Sequence, residues 1–267
     1  MLGQIAGIAI VLAVLAALYA VLQRFWPSIR GQRLYRPGFW TDLSYWLLSP
    51  LINRGFGQVV VVAALIPVAL AVGVALPDLK NGWGPVATLP LWVQAAAIVV
   101  LGDFIGYWVH RYTHTGWWWR VHAVHHSSTQ LDWLAAARGH PLHDALGRIP
   151  RARPPGAPGL APIAVAGVLP FFTLYAVTLH ANLSWDYGPL RTVVASPRFH
   201  RWHHTSAEEG RDRNFSGLFP VWDILFGTYY MPTGVQPRSF GVSEAVPAGL
   251  LGQLAYPFRA SSAAPAP

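Results

Sequence analysis

Polar positions are sparse and clustered along this chain, and the apolar gaps between them predict its elements. Residues 3–23 carry no charge, matching the roughly 20 apolar residues a helix needs to cross a bilayer. A second uncharged run covers 56–76, and a third begins at 85 and leads through Asp103 towards His110. The pattern therefore predicts membrane spans at 3–23, 56–76 and 85–109. A signal peptide is the rival reading of the first run. No basic segment precedes that run, however, and "LYAVLQRFW" is a poor small-residue cleavage site.

Charge placement orients the spans. Arg24, Arg30, Arg33, Arg36 and Arg54 crowd one loop against the lone acid Asp42, which assigns that loop to the cytoplasm. The second span then leads to a short loop with Asp78 and Lys80, and the third brings His110 back to the cytoplasmic side. A fourth apolar run, 154–180, would carry His180 to the opposite side if it crossed as one straight helix. Pro158, Pro162 and the Gly167–Pro170 stretch offer a turn, because proline removes a helical donor and glycine permits unusual backbone angles. The expectation is a re-entrant hairpin with arms of about 12 residues, roughly 18 Å each, too short to span.

Composition agrees with this setting. Hydrophobic residues make up 53% of the 267 positions and charged residues 11%, against about a quarter charged in soluble domains. The expected fold is all-α: a polytopic membrane helical bundle with a cytoplasmic helical cap. It forms a single domain over 1–255, its histidine-rich region lies at 110–230, and a disordered tail covers 256–267. Cysteine is absent, which excludes disulfides, thiolate metal sites and cysteine-held clusters within the chain. The formal charge of +8 comes from 18 arginines and Lys80. Those arginines flank apolar segments, so the charge reads as membrane orientation and not as nucleic-acid binding.

All 11 histidines fall between 110 and 204, and eight of them form three blocks. These are His110 and His114; His122, His125 and His126; and His200, His203 and His204. On a helix, residues at i, i+3 and i+4 share a face, so each block is expected to present its rings in one direction. Convergent imidazoles are what a nitrogen-ligated metal requires. One transition metal takes four to six ligands, so eight or more histidines imply two metals. The Glu-x-x-His pairs of soluble di-iron bundles are missing, since Glu208, Glu209 and Glu244 are the only glutamates.

The stretches "HRYTH", "HAVHH" and "HRWHH" occur in this order, with "ARGHPLH" after the second and "WDILFGTYY" after the third. This pattern resembles the fatty acid hydroxylase and sterol desaturase superfamily of integral membrane di-iron oxygenases. The resemblance runs from about residue 34 to residue 230. It implies two iron ions at a cytoplasm-facing centre, with O2 as co-substrate, that hydroxylates or desaturates a lipid at an unactivated C–H bond. Sterol, fatty acyl, carotenoid and alkylglycerol substrates all occur in that superfamily. A bacterial inner membrane is the expected location.

Carried onto this sequence, the resemblance makes His110, His114, His122, His125, His126, His200, His203 and His204 catalytic through the metals they bind. His180, in "LHANLSW", matches a further family ligand. His140 stands where many relatives have "HPxE", whereas this chain reads "HPLHD". His140 is thus left open between ligand and bystander, and His143 is expected behind the ligands or on the surface. Asp103 lies two helical turns before His110 and is a candidate to orient a ligand ring. Asn182 and Asn214 are candidates for similar supporting roles.

The chain has no glycine-rich dinucleotide fingerprint and no appended haem domain, so the resemblance implies a separate electron donor of the ferredoxin or cytochrome b5 type. Arg148, Arg151, Arg153, Arg198 and Arg201 are candidates to dock an acidic carrier. Trp117, Trp118 and Trp119 suit the headgroup level of a bilayer. Two other classes compete. A metal-binding or transport protein would use the same histidines without redox chemistry, but transporters keep such ligands near the membrane midplane. A zinc hydrolase would need a general base such as that of H-E-x-x-H, which is absent.

Overall fold

The computed structural model describes residues 2–50, 59, 66, 70, 88–152 and 162–259. Among these the chain is helical, with two isolated antiparallel bridges, Pro27 to Leu183 and Thr205 to Phe240, and no strand. Helix α1 covers Leu2–Phe25 and α2 covers 39–50. The following described helices are α3 (Leu91–Thr113), α4 (Gly116–His126), α5 (Pro141–Ala152) and α6 (Pro162–His180). Short helices α7 (Pro197–His203), α8 (Val221–Leu225) and α9 (Leu250–Ala255) complete the order.

Among the described residues two helices are long and apolar enough to cross a membrane, over Ile5–Phe25 and Leu91–Thr113. Only 11% and 17% of their most apolar stretches are buried within the protein, the reverse of a soluble core helix. The predicted span at 56–76 falls almost wholly outside the described residues. The third span begins later than expected, at Leu91 behind Pro90, because the residue before a proline is driven out of helical geometry. It also runs on past His110 to Thr113.

Helix α1 is built into the fold. Leu15 and Tyr19 pack with Trp133, Leu134, Val177, Ala181 and Leu183. The Tyr19 hydroxyl also shares a 2.7 Å hydrogen bond with Thr178 Oγ1.

Helix α6 corrects one expectation. It continues unbroken through Gly167 and Pro170, so no turn lies there. In an apolar setting an opened turn strands several backbone groups, whereas one proline removes a single donor. Residues 153–161, with Pro158, lie outside the described residues. The described helices on either side, α5 and α6, nevertheless reach the same histidine block: the His143 ring of α5 lies 4.4 Å from that of His122, and His180 at the end of α6 lies 3.2 Å from His125.

The tail expectation also changes. Tyr256–Phe258 form a turn of 3-10 helix, with Phe258 packed 6.0 Å from the Trp117 ring and Arg120 over Tyr256. Aromatic contact outweighs the weak local preference of this short segment.

A buried ion network fixes the segment behind α4. Arg36 donates to both Asp132 oxygens, at 2.7 and 2.5 Å, and lies 2.9 Å from Asp42. Asp132 also caps the 3-10 helix Trp133–Ala137. At the far end of that helix, Arg138 donates to Asp42 at 2.6 Å and to Ser127 Oγ at 3.0 Å. Four charges in alternation satisfy one another where any one alone would be costly.

Candidate metal centre

Two groups of histidines converge at the end of α3. His110, His114, His122, His126 and His203 form one, and His125, His180, His200 and His204 form the other. Within each group the ligand atoms all lie within 4.8 Å of one another. In the five-histidine group, His122 Nε2 is 3.0 Å from His110 Nε2 and 3.1 Å from His126 Nε2, and His126 Nε2 is 3.0 Å from His203 Nε2. In the four-histidine group the chain His125, His180, His200, His204 is linked at 3.2, 3.2 and 3.1 Å. The groups adjoin, with the His126 and His204 rings stacked 4.3 Å apart.

Local structure explains the convergence. Gly116, at φ +52, turns the chain sharply from α3 into α4, a backbone angle that suits glycine. Ser196 caps α7 through the Phe199 N–H, and Pro197 occupies the first turn, where its missing donor costs nothing. Each H-x-x-H-H block, expected to point one way, is divided between the groups. In α4 the i and i+4 rings (His122, His126) join the five-histidine group and the i+3 ring (His125) the other. In α7 the split is reversed, with His200 and His204 together and His203 apart. Positions i+3 and i+4 lie on opposite sides of i around the helix, so two facing blocks serve two centres.

The outward ring nitrogens reveal the proton positions. His110 Nδ1 meets Phe215 O at 2.7 Å, His203 Nδ1 meets Arg213 O at 2.8 Å, His125 Nδ1 meets Arg138 O at 2.7 Å and His180 Nδ1 meets Ala176 O at 2.7 Å. A carbonyl only accepts, which assigns the proton to Nδ1 and leaves a bare lone pair on each Nε2. His114 Nδ1 likewise donates to the Asp212 carboxylate at 2.9 Å. Burial holds His122, His126, His200, His203 and His204 well below the usual histidine pKa and His125 down to about 4. The rings are therefore neutral at physiological pH, and the facing Nε2 atoms of His125 and His180 have no proton to share.

Such contacts are repulsive unless a cation lies between them. Nitrogens about 2.1 Å from one ion stand about 3.0 Å apart at right angles and about 3.4 Å apart at tetrahedral angles. The observed separations of 3.0–3.2 Å fall in this range. The outward donation to carbonyls and a carboxylate is also what metal-binding histidines show. The donor set, all nitrogen, fits a first-row transition metal in each group.

The remaining candidates fall elsewhere. His140 joins neither group: its Nε2 meets Leu254 O at 3.0 Å and its Nδ1 accepts from Leu142 N at 3.2 Å, so it caps α5. His143 lies against His122 but outside both groups. Asp103 touches no ligand ring. It accepts from Leu218 N, Phe219 N and Trp222 Nε1 at 2.7, 2.8 and 3.0 Å, tying α3 to the loop that carries Phe215. Asn182 binds both backbone groups of Ile29 and secures the segment after α1. Asn214, at φ +59, bonds Phe199 O and both backbone groups of Tyr230. It thereby holds the two carbonyls that flank it, those of Arg213 and Phe215.

The segment 212–215 thus orients three rings of the five-histidine group, a role that carries no sequence motif. Asp223 anchors it, accepting from Phe215 N, Ser216 N and the Thr228 hydroxyl at 2.7, 2.9 and 2.6 Å. A lone acid within the apolar "FPVWDILFG" is the signal that marks it in sequence. Trp119 walls the same group, 5.0 Å from the His114 ring, with its Nε1 bonded to Glu244. Of the arginines proposed for docking, Arg201 is fully buried over the Phe240 ring. Arg198 is paired with Asp186, and the side chains of Arg148, Arg151 and Arg153 lie outside the described residues.

Comparison with known proteins decides the lineage. The fatty acid hydroxylase family model matches residues 95–228, which contain both histidine groups entire. The chain belongs to the fatty acid hydroxylase family. An ornithine lipid hydroxylase of Rhizobium tropici is 30% identical over 253 residues, covering 91% of this chain and 72% of the relative. An alkylglycerol monooxygenase of Danio rerio is 33% identical over 134 residues, 49% of this chain and 30% of the relative. Methylsterol monooxygenase 1-3 of Arabidopsis thaliana is 23% identical over 188 residues, 67% of this chain and 59% of the relative. No solved structure matches.

Proposed function

We propose that this family member is a membrane-embedded di-iron oxygenase that hydroxylates a lipid. The observation that carries the reading is the lone-pair contact between His125 and His180, set within two groups that bring nine imidazoles together. The names of the relatives, each a lipid hydroxylase or monooxygenase, favour hydroxylation over desaturation. His110, His114, His122, His126 and His203 would hold one iron, and His125, His180, His200 and His204 the other. When bound, the iron pair supplies the reduction of O2 and the cleavage of an unactivated C–H bond.

The chain's own residues contribute position, protonation and access. Nδ1–H donation to Phe215, Arg213, Arg138 and Ala176 keeps the lone pairs inward. Burial keeps the imidazoles neutral and excludes bulk water. The apolar faces of α1, α3 and α6 let a lipid approach from the bilayer. Exposed Arg24, Arg30 and Arg33 at the site end of α1 favour a cytoplasmic site in a bacterial inner membrane. Without cysteines the chain relies on a separate one-electron donor of the ferredoxin or cytochrome b5 type.

The test is turnover of a membrane lipid extract by the purified protein with isotopically heavy O2, a ferredoxin and its reductase. A hydroxylated lipid carrying the heavy oxygen, absent with His204→Ala, is expected. Lipid modified without heavy oxygen would overturn the proposal.

A further inference from the structure

Among the described residues, the five-histidine group differs from the four-histidine group in the acceptor that one of its rings meets. His110 and His203 in the first, and His125 and His180 in the second, give their outer N–H to backbone carbonyls. His114 alone gives its own to a carboxylate, Asp212 Oδ1, at 2.9 Å. The His114 side chain is 5% exposed and that of Asp212 is 61% exposed. Asp212 therefore brings a negative charge to the edge of a buried cluster while most of its own side chain stays in water. The same contact holds the Asp212 carboxyl below its ordinary pKa.

A carboxylate acceptor makes a charge-assisted bond, roughly twice as strong as a neutral one, and raises the basicity of the ring behind it. We infer that Asp212 is a positioning residue that, through His114, makes the five-histidine group the tighter of the two metal sites. The inference rests on the di-iron reading and deepens it, because it makes the two irons chemically unequal. A divalent ion among five neutral imidazoles brings uncompensated charge, and Asp212 offsets part of it. Among the described residues the four-histidine group bonds to backbone carbonyls, and the carboxylate that acts on His125, Asp42, is already paired with Arg36 and Arg138.

The backbone supplies a clean test. Asp212 sits at φ +53, in the left-handed region that asparagine tolerates as readily as aspartate. Asp212→Asn thus keeps the fold and an oxygen for the His114 N–H, and removes only the charge.

The experiment follows transfer of iron from the detergent-purified, iron-loaded full chain to excess ferrozine under anaerobic conditions. Asp212→Asn is expected to speed the release of one iron by about 10–100-fold, the usual effect of losing such a partner. The other iron should leave at the wild-type rate, and the melting temperature of the metal-free protein should not change. Asp186→Asn, which removes a carboxylate bonded to Arg198 and not to a histidine, should release both irons as wild type does. Wild-type release of both irons from Asp212→Asn, or equal acceleration of both with a lower melting temperature, would overturn the inference. A wild type that binds no iron would overturn the di-iron reading itself, and is distinguished by its iron content before any chelator is added.

Discussion

The Nε2 atoms of His125 and His180 face each other at 3.2 Å across 55 residues of sequence, each with its proton committed to a backbone carbonyl on the far side of the ring. Two lone pairs at this distance repel, and a shared cation between them would stabilise their convergence. The fold holds them there from both sides. Arg138, which presents the carbonyl to His125, is fixed through its guanidinium to Asp42, while Leu179, the neighbour of His180, packs with Ala195, Phe199 and Met231.

Acid should release the metal and unfold the protein over one pH range. Burial lowers the His125 pKa from 6.5 to about 4, so between these values the unfolded chain binds more protons than the folded one. Stability contributed by this neutral ring is fully present above pH 6.5 and is lost as pH falls towards 4. Metal binding needs the neutral ring as well and shifts in the same direction. Melting temperature and bound iron, followed from pH 7.5 down to about 4.5, should fall together. A flat profile would contradict the burial argument.

Asp42→Ala should be among the most damaging single changes outside the histidines. It leaves the buried Arg36 and Arg138 with one acidic partner, Asp132. Breaking a buried network in this way costs about 3–5 kcal/mol. Denaturant unfolding in mild detergent measures the loss, and retention of wild-type stability would refute the role of the network.

His140→Ala separates a capping histidine from a ligand. Its ring accepts from Leu142 N and meets Leu254 O. The variant should keep the wild-type iron content and lose about 1 kcal/mol of stability, the usual effect of a lost cap. Iron loss comparable to that of His204→Ala would place His140 at the metals after all.

Much of the site was legible because its chemistry is written in side chains. Three histidine blocks at helical spacing, with His180, already contain the nine residues that the structure brings together. Their division between two groups was not legible, since spacing along one helix gives relative angles but not which neighbouring helix faces each ring. The orienting partners were hidden for a different reason. Four of them are backbone carbonyls, of Phe215, Arg213, Arg138 and Ala176, which every residue possesses. Asp103 misled because helical phase placed it on the His110 face, whereas the nearest unpaired donors belong to the loop at 218–222. Helices α1 and α3, long and apolar enough to cross a membrane, were readable as helices from apolar length alone. Pro170 suggested a break in α6 that the apolar surroundings do not allow.

Iron content with Mössbauer spectroscopy, applied to the wild type, His126→Ala and His125→Ala, tests the central claim most directly, because the two variants strike different groups. The account predicts about two irons per wild-type chain with an antiferromagnetically coupled signal, and loss of that coupled signal in each variant. One iron or none in the wild type, or an unchanged coupled signal in both variants, would contradict it.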